Sequence, residues 1–333
     1  MNCWYALATS TTTHTGAIGV VEIGGDVAAA LQRLRIPPVA LGAARLRIWP
    51  DVDSIVLAML SPTHAMLFPH AGPAIARRVI AALDAAGLTH TQERTPPQRF
   101  PEAATDIQAR MLDALRRAQS PLAIDLLLDQ PRRWTLAERD PSLVLPPEDA
   151  ARLNFLIDPP RVVALGPPNI GKSSMLNALA GRSVSIVADV PGTTRDHVGV
   201  ALNLAGLVVH YIDTPGIGPL RATDSPEQDA LDRAAQQIAM QVAASADLLL
   251  LCADPTTAFL TPHWVARLSE PCSVDAPITL RVLLRSDLGP AVPEAAVAVS
   301  VRNNTGVDLL VAAIRDALIP PRLLADPRAW AFR

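Results

Sequence analysis

The first hundred residues alternate between short apolar runs and segments with helical spacing. Val27–Leu34 and Ala74–Ala86 have helical spacing, and Asp26 would cap the first helix while Gly87 would end the second. Apolar-rich segments bounded by turn residues predict five strands, over residues 4–9, 16–23, 43–49, 53–60 and 64–68. The pattern predicts a small α+β domain over residues 1–100.

A second region, residues 101–158, is predicted to be a helical connector. The polar residues 91–101 before it contain three prolines, which favours a linker. Residues 102–128 have the apolar spacing of helices. A Pro-rich, charged stretch follows, and within it a short helix is predicted near residues 147–155.

From residue 159 onward, strands and helices alternate, which is typical of an α/β domain whose mostly parallel sheet is flanked by helices. The predicted strands are Val162–Leu165, Val198–Leu204, Leu207–Ile212, Asp247–Ala253, Ile278–Leu284 and Ala296–Val301. The predicted helices are one that follows residue 171, then Gln228–Ala244, Thr261–Leu268 and Gly306–Leu318. We predict this domain over residues 159–320, followed by a tail over residues 321–333.

The first turn of this domain reads Gly-x-x-x-x-Gly-Lys-Ser between an apolar run and a helix, which is the context of a phosphate-binding loop. Lys172 is the only lysine among the 29 basic residues, and Lys and Arg are not equivalent beneath a phosphate. Lys172 should reach the β- and γ-phosphates, and the Ser173 hydroxyl should bind Mg²⁺. The predicted nucleotide contacts of the loop are Gly166, Asn169, Ile170, Gly171, Lys172, Ser173 and Ser174.

Two later motifs have the spacing of nucleotide-sensing switches. Thr193 and Thr194 lie in a loop between a helix and a strand, and the Thr194 hydroxyl is the candidate that completes the Mg²⁺ shell. Asp213-Thr-Pro-Gly216 follows the next strand, where Asp213 should bind Mg²⁺ through water and the Gly216 N–H should approach the γ-phosphate. The three motifs together indicate a Mg²⁺-dependent GTPase of the translation-factor-like class that binds GTP and GDP.

The residue after Gly216 bears on hydrolysis. Many GTPases have a glutamine there that orients the attacking water, and this chain has Ile217. Hydrolysis is then either slow or assisted by another group. Glu227 is the catalytic candidate, beside Thr194 and Lys172, and the alternative is that Glu227 is a glutamate favoured at a helix N-terminus.

The guanine base should be read after the strand Ile278–Leu284. Asp287 can accept hydrogen bonds from both N1–H and the amino group of guanine, which adenine cannot donate together. Leu284 and Arg285 replace the usual asparagine and lysine, so we expect the Arg285 stem to cover the base and guanine affinity to be weakened. Backbone of the Ser300–Val301 loop should contact guanine O6.

The composition also bears on nucleic-acid binding, metal binding and membrane association. A net charge of −3 argues against a broad nucleic-acid-binding surface, so Arg132-Arg133-Trp134 is either a local RNA contact or a solvated basic pair beside a packed tryptophan. The three cysteines form no CxxC pair, and the histidines lack metal-ligand spacing. Without a signal-peptide pattern or an apolar run of about 18 residues, we expect a cytoplasmic protein that does not interact with membranes.

Residues 166–174, Gly192-Thr-Thr-Arg-Asp196 and Asp213–Gly216 together resemble the tRNA modification GTPases, the MnmE/TrmE-like family. The stretches Gly16–Gly24 and Pro69–Pro73 resemble the N-terminal region of that family. The resemblance implies an N-terminal folate-binding-like domain that forms a homodimer, a helical domain and an inserted GTPase domain.

The resemblance also implies potassium-stimulated GTP hydrolysis, with Asn169 as a K⁺ ligand and Asp224-x-x-Glu227 supplying the catalytic glutamate. The family ends in Cys-x-Gly-Lys, whereas this sequence ends in Ala329–Arg333, so we expect a shortened member. Two functions stay open: a GTPase linked to modification of the tRNA wobble uridine, and a weakly hydrolysing GTP sensor that binds the ribosome, RNA or a protein partner.

Overall fold

The computed structural model describes residues 3–8, 17–91, 95–182, 199–217, 234, 237–259, 277–290 and 292–332. The chain divides into two compact units, Met1–Asp113 and Ala114–Arg333. The division therefore falls inside the region predicted as the connector. The four-part organisation into residues 1–100, 101–158, 159–320 and 321–333 stays a prediction.

A six-stranded sheet lies at the centre of the first unit. Its strands are β1 (Trp4–Leu7), β2 (Val21–Gly24), β3 (Ala44–Trp49), β4 (Asp53–Ser61), β5 (His64–Phe68) and β6 (Thr89–His90). They are ordered β3-β4-β5-β2-β1-β6, and only β1 and β6 are parallel neighbours. All five predicted strands are present with shifted ends, and the two-residue β6 was missed.

Two helices pack on this sheet, α1 (Val27–Arg33) and α2 (Pro73–Ala85). The Asp26 side chain accepts a hydrogen bond from the Ala29 N–H at 3.0 Å, as expected of an N-cap. Aliphatic side chains from the helices and from the inner face of the sheet fill the core, among them Leu31, Ile55, Leu57, Leu67 and Leu83. The α+β character of this region follows from that packing.

In the sequence, five helices follow β6 and precede the first strand of the second sheet: α3 (Pro96–Arg99), α4 (Asp106–Arg117), α5 (Ala123–Leu128), α6 (Gln130–Ala137) and α7 (Pro147–Asn154). The predicted linker, residues 91–101, contains the short helix α3, and the Pro-rich stretch contains α6 as well as the predicted short helix. Both missed helices have proline in their first turn, where its missing N–H costs no hydrogen bond. The Gln98 side chain also accepts a hydrogen bond from the Thr95 N–H, which stabilises the start of α3.

The basic segment of α6 contacts the end of the chain. Arg133 Nε donates to Asp129 at 2.7 Å, and Arg133 Nη1 donates to the Asp326 carbonyl at 2.7 Å. Trp134 Nε1 donates to the carbonyl of Trp330, whose own side chain is fully buried. Arg133 and Trp134 are therefore structural contacts, while Arg132 is mostly exposed and pairs with Asp129.

The second sheet has the strand pattern expected of an α/β domain. Its strands are β7 (Arg161–Leu165), β8 (Gly199–Leu204), β9 (Leu207–Asp213), β10 (Leu248–Ala253), β11 (Ile278–Leu283) and β12 (Val297–Ala298). They are ordered β12-β11-β10-β7-β9-β8, and every pair is parallel except β8 with β9. Every residue of β10 is buried, as in a central strand covered on both faces.

After β7, the helices that the structure describes are α8 (Lys172–Arg182), a helix at residues 237–244, α9 (Val307–Leu318) and α10 (Pro321–Leu324). The predicted helix Thr261–Leu268 lies outside the described residues. A mostly parallel sheet flanked by helices confirms the predicted P-loop α/β fold class. No helix within the described ranges is long and apolar enough to cross a membrane.

The helical region is joined to the β8–β9 hairpin inside the second unit. The Ser120 hydroxyl accepts a hydrogen bond from the Val208 N–H at 3.0 Å in a buried contact. Gly206 in the hairpin turn has φ +94°, and a Cβ atom there would lie 2.7 Å from Leu122 Cγ. A residue with a side chain would therefore open this contact.

Candidate functional site

The loop between β7 and α8 has the backbone geometry of an anion cradle. Gly171 has φ +103° and Asn169 has φ +61°, both in the left-handed half of backbone space. A Cβ atom at Gly166 would lie 2.3 Å from the Cys252 carbonyl oxygen, so the loop passes over β10 only with glycine there. Ile170 is 2% exposed and is packed beneath the loop.

Lys172 is the charged side chain of this loop. It is only 6% exposed, and its Nζ donates to the carbonyl oxygens of Gly166 at 3.0 Å and Pro167 at 2.8 Å. Burial lowers the pKa of Lys172 from its ordinary value. A cation with little water around it and an adjacent row of loop N–H groups is suited to bind phosphate oxygens.

Ser173 and Asp213 meet at the carboxyl ends of β7 and β9. The Ser173 hydroxyl donates to Asp213 Oδ2 at 2.7 Å, while Asp213 Oδ1 is buried without a hydrogen-bond partner. A buried carboxylate oxygen with unused acceptor capacity beside a hydroxyl suits a hard divalent cation. In the described part of the chain, no cluster of three or more His, Cys, Asp or Glu side chains could hold a metal by itself. A Mg²⁺ ion bound here would therefore take some of its oxygen ligands from the protein and the others from phosphate and water.

The segment after Asp213 lies against the phosphate loop. A Cβ atom at Gly216 would lie 2.4 Å from Pro168 Cα, so this close approach requires glycine. The Ile217 N–H donates to the Gly166 carbonyl at 2.9 Å, and the Ile217 side chain is 2% exposed within the core that contains Val163. The side chain at the usual glutamine position is therefore a core residue and does not face the attacking water.

The base end of the site depends on side-chain pairs. The Ser300 hydroxyl donates to Asp287 Oδ1 at 2.6 Å, and this bond lowers the pKa of the Asp287 carboxyl. Ser300 is 1% exposed, and its N–H donates to the Thr305 carbonyl, which fixes the loop after β12. Val301, next to it, is partly exposed.

Leu284, at the usual asparagine position, is 1% exposed, and its N–H donates to the Ala253 carbonyl at 2.7 Å. It contributes to the core and cannot contact a base. Arg285 follows in the left-handed conformation, with φ +50°, and lines the same cavity as the phosphate loop.

A cavity of about 620 Å³ brings most of these residues together. Its lining consists of Pro168, Asn169, Gly171, Lys172, Ser173, Ser174, Asp213, Thr214, Pro215, Gly216 and Arg285. Of the predicted contacts, Gly166, Ile170, Asp287, Ser300 and Val301 are not in this lining. The roles assigned to Thr193, Thr194 and Glu227 lie outside the described residues.

Sequence reasoning missed Asp254, which follows β10 and is 4% exposed. Its Oδ2 lies 3.7 Å from Arg285 Nη1. The available signal was its position, since an acidic residue at the carboxyl end of a parallel strand lies where such sheets bind ligands.

Comparisons with known proteins agree with the geometry. Residues 161–279 match the family described as 50S ribosome-binding GTPases. The chain is 44% identical over 154 residues to the tRNA modification GTPase MnmE of Acidiphilium cryptum, covering 46% of this chain and 32% of that protein. It is 33% identical over 239 residues to MnmE of Leptothrix cholodnii, covering 64% of this chain and 44% of that protein. The chain thus spans less than half of the length of these curated relatives.

Solved structures are similar over about half of the chain. Aquifex aeolicus Era bound to GDP·AlF4⁻ is 28% identical over 47% of this chain and 56% of that chain, with a TM-score of 0.35. The FeoB G-domain from Methanococcus jannaschii is 21% identical over 48% of this chain and 97% of that chain, with a TM-score of 0.34. Residues 161–279 therefore form a P-loop GTPase domain, and about half of the chain is similar in sequence to the MnmE tRNA modification GTPases.

Proposed function

We propose that this protein binds GTP with Mg²⁺ and hydrolyses it to GDP and phosphate. The observation that carries the proposal is Asp213, whose buried Oδ1 lacks a partner while its Oδ2 accepts the Ser173 hydroxyl. Asp213 lines the same cavity as the phosphate loop and Lys172. This set of donors fits a Mg²⁺–nucleotide complex better than a metal ion alone.

The lysine, the loop N–H groups, the two metal-binding side chains and the Gly216 N–H have separate roles in this proposal. Lys172 exchanges its loop carbonyls for β- and γ-phosphate oxygens, and the loop N–H groups after Gly171 orient the same phosphates. Ser173 and Asp213 hold Mg²⁺, which when bound neutralises charge on the phosphates. The Gly216 N–H contacts the γ-phosphate, because no side chain separates it from the loop.

The attacking water needs a group other than Ile217, which is a core residue. We propose that Glu227 orients this water and that Thr194 completes the Mg²⁺ shell. Asn169 lines the cavity in the left-handed conformation, and its amide oxygen is a candidate ligand for K⁺. On this proposal, K⁺ is a cofactor of hydrolysis beside GTP and Mg²⁺.

The test is GTP hydrolysis by the purified protein in KCl and in NaCl, with Lys172→Ala and Glu227→Ala as variants. We expect turnover to be higher in KCl and to fall about 100-fold or more in both variants, which is typical of removing a phosphate-stabilising or water-positioning group. Turnover of the unaltered protein no faster than that of Lys172→Ala would contradict the proposal.

A second candidate function is a GTP sensor that hydrolyses slowly. The burial of Ile217 favours this second function, because the residue at the usual water-orienting position packs in the core and cannot contact the water. Slow turnover that does not depend on the cation, in a protein that still binds GTP, would select this function. Its expected partners are tRNA or ribosomal RNA, the ribosome, or another protein.

The role of the whole protein is proposed from its relatives. Several are named tRNA modification GTPases, so we propose that this GTPase takes part in modification of the tRNA wobble uridine in the cytoplasm. Residues 1–100 would form a folate-binding-like domain through which two copies associate. Sedimentation of the full chain tests the homodimer, and loss of the modified uridine on deletion of the gene tests the modification.

A further inference from the structure

Asp254 is a buried acid next to Arg285, which lines the proposed nucleotide pocket. Its Oδ1 accepts three hydrogen bonds, from the Thr256 N–H at 3.0 Å, the Thr256 hydroxyl at 2.8 Å and the Thr257 hydroxyl at 3.0 Å. These bonds fix the carboxylate in one orientation. The second oxygen, Oδ2, faces the guanidinium of Arg285 at 3.7 Å.

Asp254 carries its charge in this position. Burial acts to raise the pKa of the carboxyl, but the hydrogen bonds from Thr256 and Thr257 and the charge of Arg285 outweigh burial and lower it. A buried carboxylate attracts a nearby cation strongly because little water screens it. The pair is therefore a means of orienting a flexible arginine that is about half exposed.

Arg285 lies between the two ends of the nucleotide site. Its Nε is 3.9 Å from the position that a Cβ atom of Gly171 would occupy, so the side chain crosses beside the phosphate loop. Two residues later Asp287 begins the predicted base contact. A nucleotide that spans these points would place its nucleoside part along the Arg285 side chain, where a planar guanidinium can stack or donate hydrogen bonds.

Resting on the function proposed above, we propose that Asp254 is a positioning residue that holds Arg285 across the nucleoside part of bound GTP or GDP. The buried Leu284 gives no contact to the base, so the Asp254–Arg285 pair supplies the side-chain contact that supplements Asp287. This contact does not involve the γ-phosphate. It therefore contributes equally to the affinity for GTP and for GDP.

The test is a double-mutant cycle read by titration with GDP and with GTP. Arg285→Ala and Asp254→Asn should each weaken both affinities by about fivefold, as expected for an arginine contact to an aromatic base. The double variant should bind no more weakly than Arg285→Ala alone. In hydrolysis, KM for GTP should rise while kcat changes much less.

Thr256→Val is the matched control, because it removes one hydrogen bond to Asp254 Oδ1 and leaves Oδ2 free to face Arg285. It should bind GDP within about twofold of the unaltered protein. An Asp254→Asn effect that persists undiminished in the Arg285→Ala background would overturn the proposal, since it would indicate a role in the turn alone.

Equal GDP affinity of Arg285→Ala and the unaltered protein would also overturn the proposal. Because Arg285 is about half exposed, this variant should fold normally, so the test stays valid even if Asp254→Asn folds poorly. If the unaltered protein binds no guanine nucleotide, the proposed function fails as well. The two failures are therefore distinguishable.

Discussion

The phosphate end and the base end of the pocket are built in different ways. At the phosphate end, backbone conformation makes the site: Gly166 and Gly216 allow contacts that a Cβ atom would block at 2.3 and 2.4 Å. At the proposed base end, the structure has two side-chain pairs instead, Ser300–Asp287 and Asp254–Arg285. Glycine is required at both positions of the first end, whereas the proposed base end has Leu284 and Arg285 in place of the usual asparagine and lysine and retains Asp287.

This difference indicates which positions of such a site can accept other residue types. A phosphate-binding loop requires glycine at these positions, because its N–H groups are placed by the backbone and a Cβ atom would block the close contacts of that backbone. A base contact can be supplied by different side chains, provided that each is held in place by a partner. Four predictions test this contrast, from the largest expected effect to the smallest.

Gly166→Ala should give the largest effect on nucleotide binding, since its Cβ would overlap the Cys252 carbonyl. We expect loss of measurable GDP binding and a decrease of about 2–3 kcal/mol in the free energy of unfolding. Gly181→Ala is the control in the following helix, where a Cβ atom meets nothing within 4 Å. It should raise stability by about 0.5–1 kcal/mol. Urea denaturation and GDP titration measure both variants, and normal binding by Gly166→Ala would refute the backbone argument.

Leu284→Asn restores the residue type usual at that position, yet it should not restore tight binding. The side chain would be buried in the core, so we expect a loss of about 2–4 kcal/mol of stability without tighter GDP binding. Leu284→Met conserves volume and should cost less than about 1.5 kcal/mol. Tighter GDP binding by Leu284→Asn with unchanged stability would show that the base end is not built as described.

Asp213→Asn should raise the Mg²⁺ concentration that half-saturates nucleotide binding by about tenfold, because the carboxylate charge toward the cation is lost. Ser173→Ala should have a smaller effect on the same titration, and EDTA should abolish the difference between the variants. Identical Mg²⁺ curves for Asp213→Asn and the unaltered protein would place the metal elsewhere.

Ser300→Ala should have the smallest effect, about a threefold loss of GDP affinity at pH 7 from poorer orientation of Asp287. The stability that this hydrogen bond contributes is present above the ordinary carboxyl pKa and is lost as pH falls through the lowered pKa of Asp287. The two proteins should therefore converge in stability in acid. A difference that grows on acidification would contradict this reading.

The contrast between the two ends also explains which parts of the site could be predicted from the sequence. The phosphate loop and the Asp213–Gly216 turn were predictable because a strand, a glycine motif and a helix are adjacent in the sequence. The role of Ile217 in the core and the position of Asp254 beside Arg285 depend on which strands become neighbours in the sheet. No local pattern encodes those neighbours.

Long-range contacts account for the other misses. The burial of Trp330 depends on α6 and α7, about 175 to 200 residues earlier, where Gln130 accepts a hydrogen bond from its N–H and Asn154 accepts one from its Nε1. The two missed helices, α3 and α6, are short and begin with proline, which composition alone assigns to loops. The α/β class was predictable because a parallel sheet leaves a strong alternation of apolar strands and helices.

We propose that Asp287, which is not among the residues that line the cavity, selects the guanine base, and competition between nucleotides tests this proposal most directly. Fluorescently labelled GDP bound to the unaltered protein would be displaced by unlabelled GDP or ADP, with Asp287→Ala examined in the same way. We predict that GDP displaces the label at a concentration about 100-fold lower than ADP does, and that Asp287→Ala removes most of this preference. Displacement by ADP and GDP at equal concentrations would contradict the account.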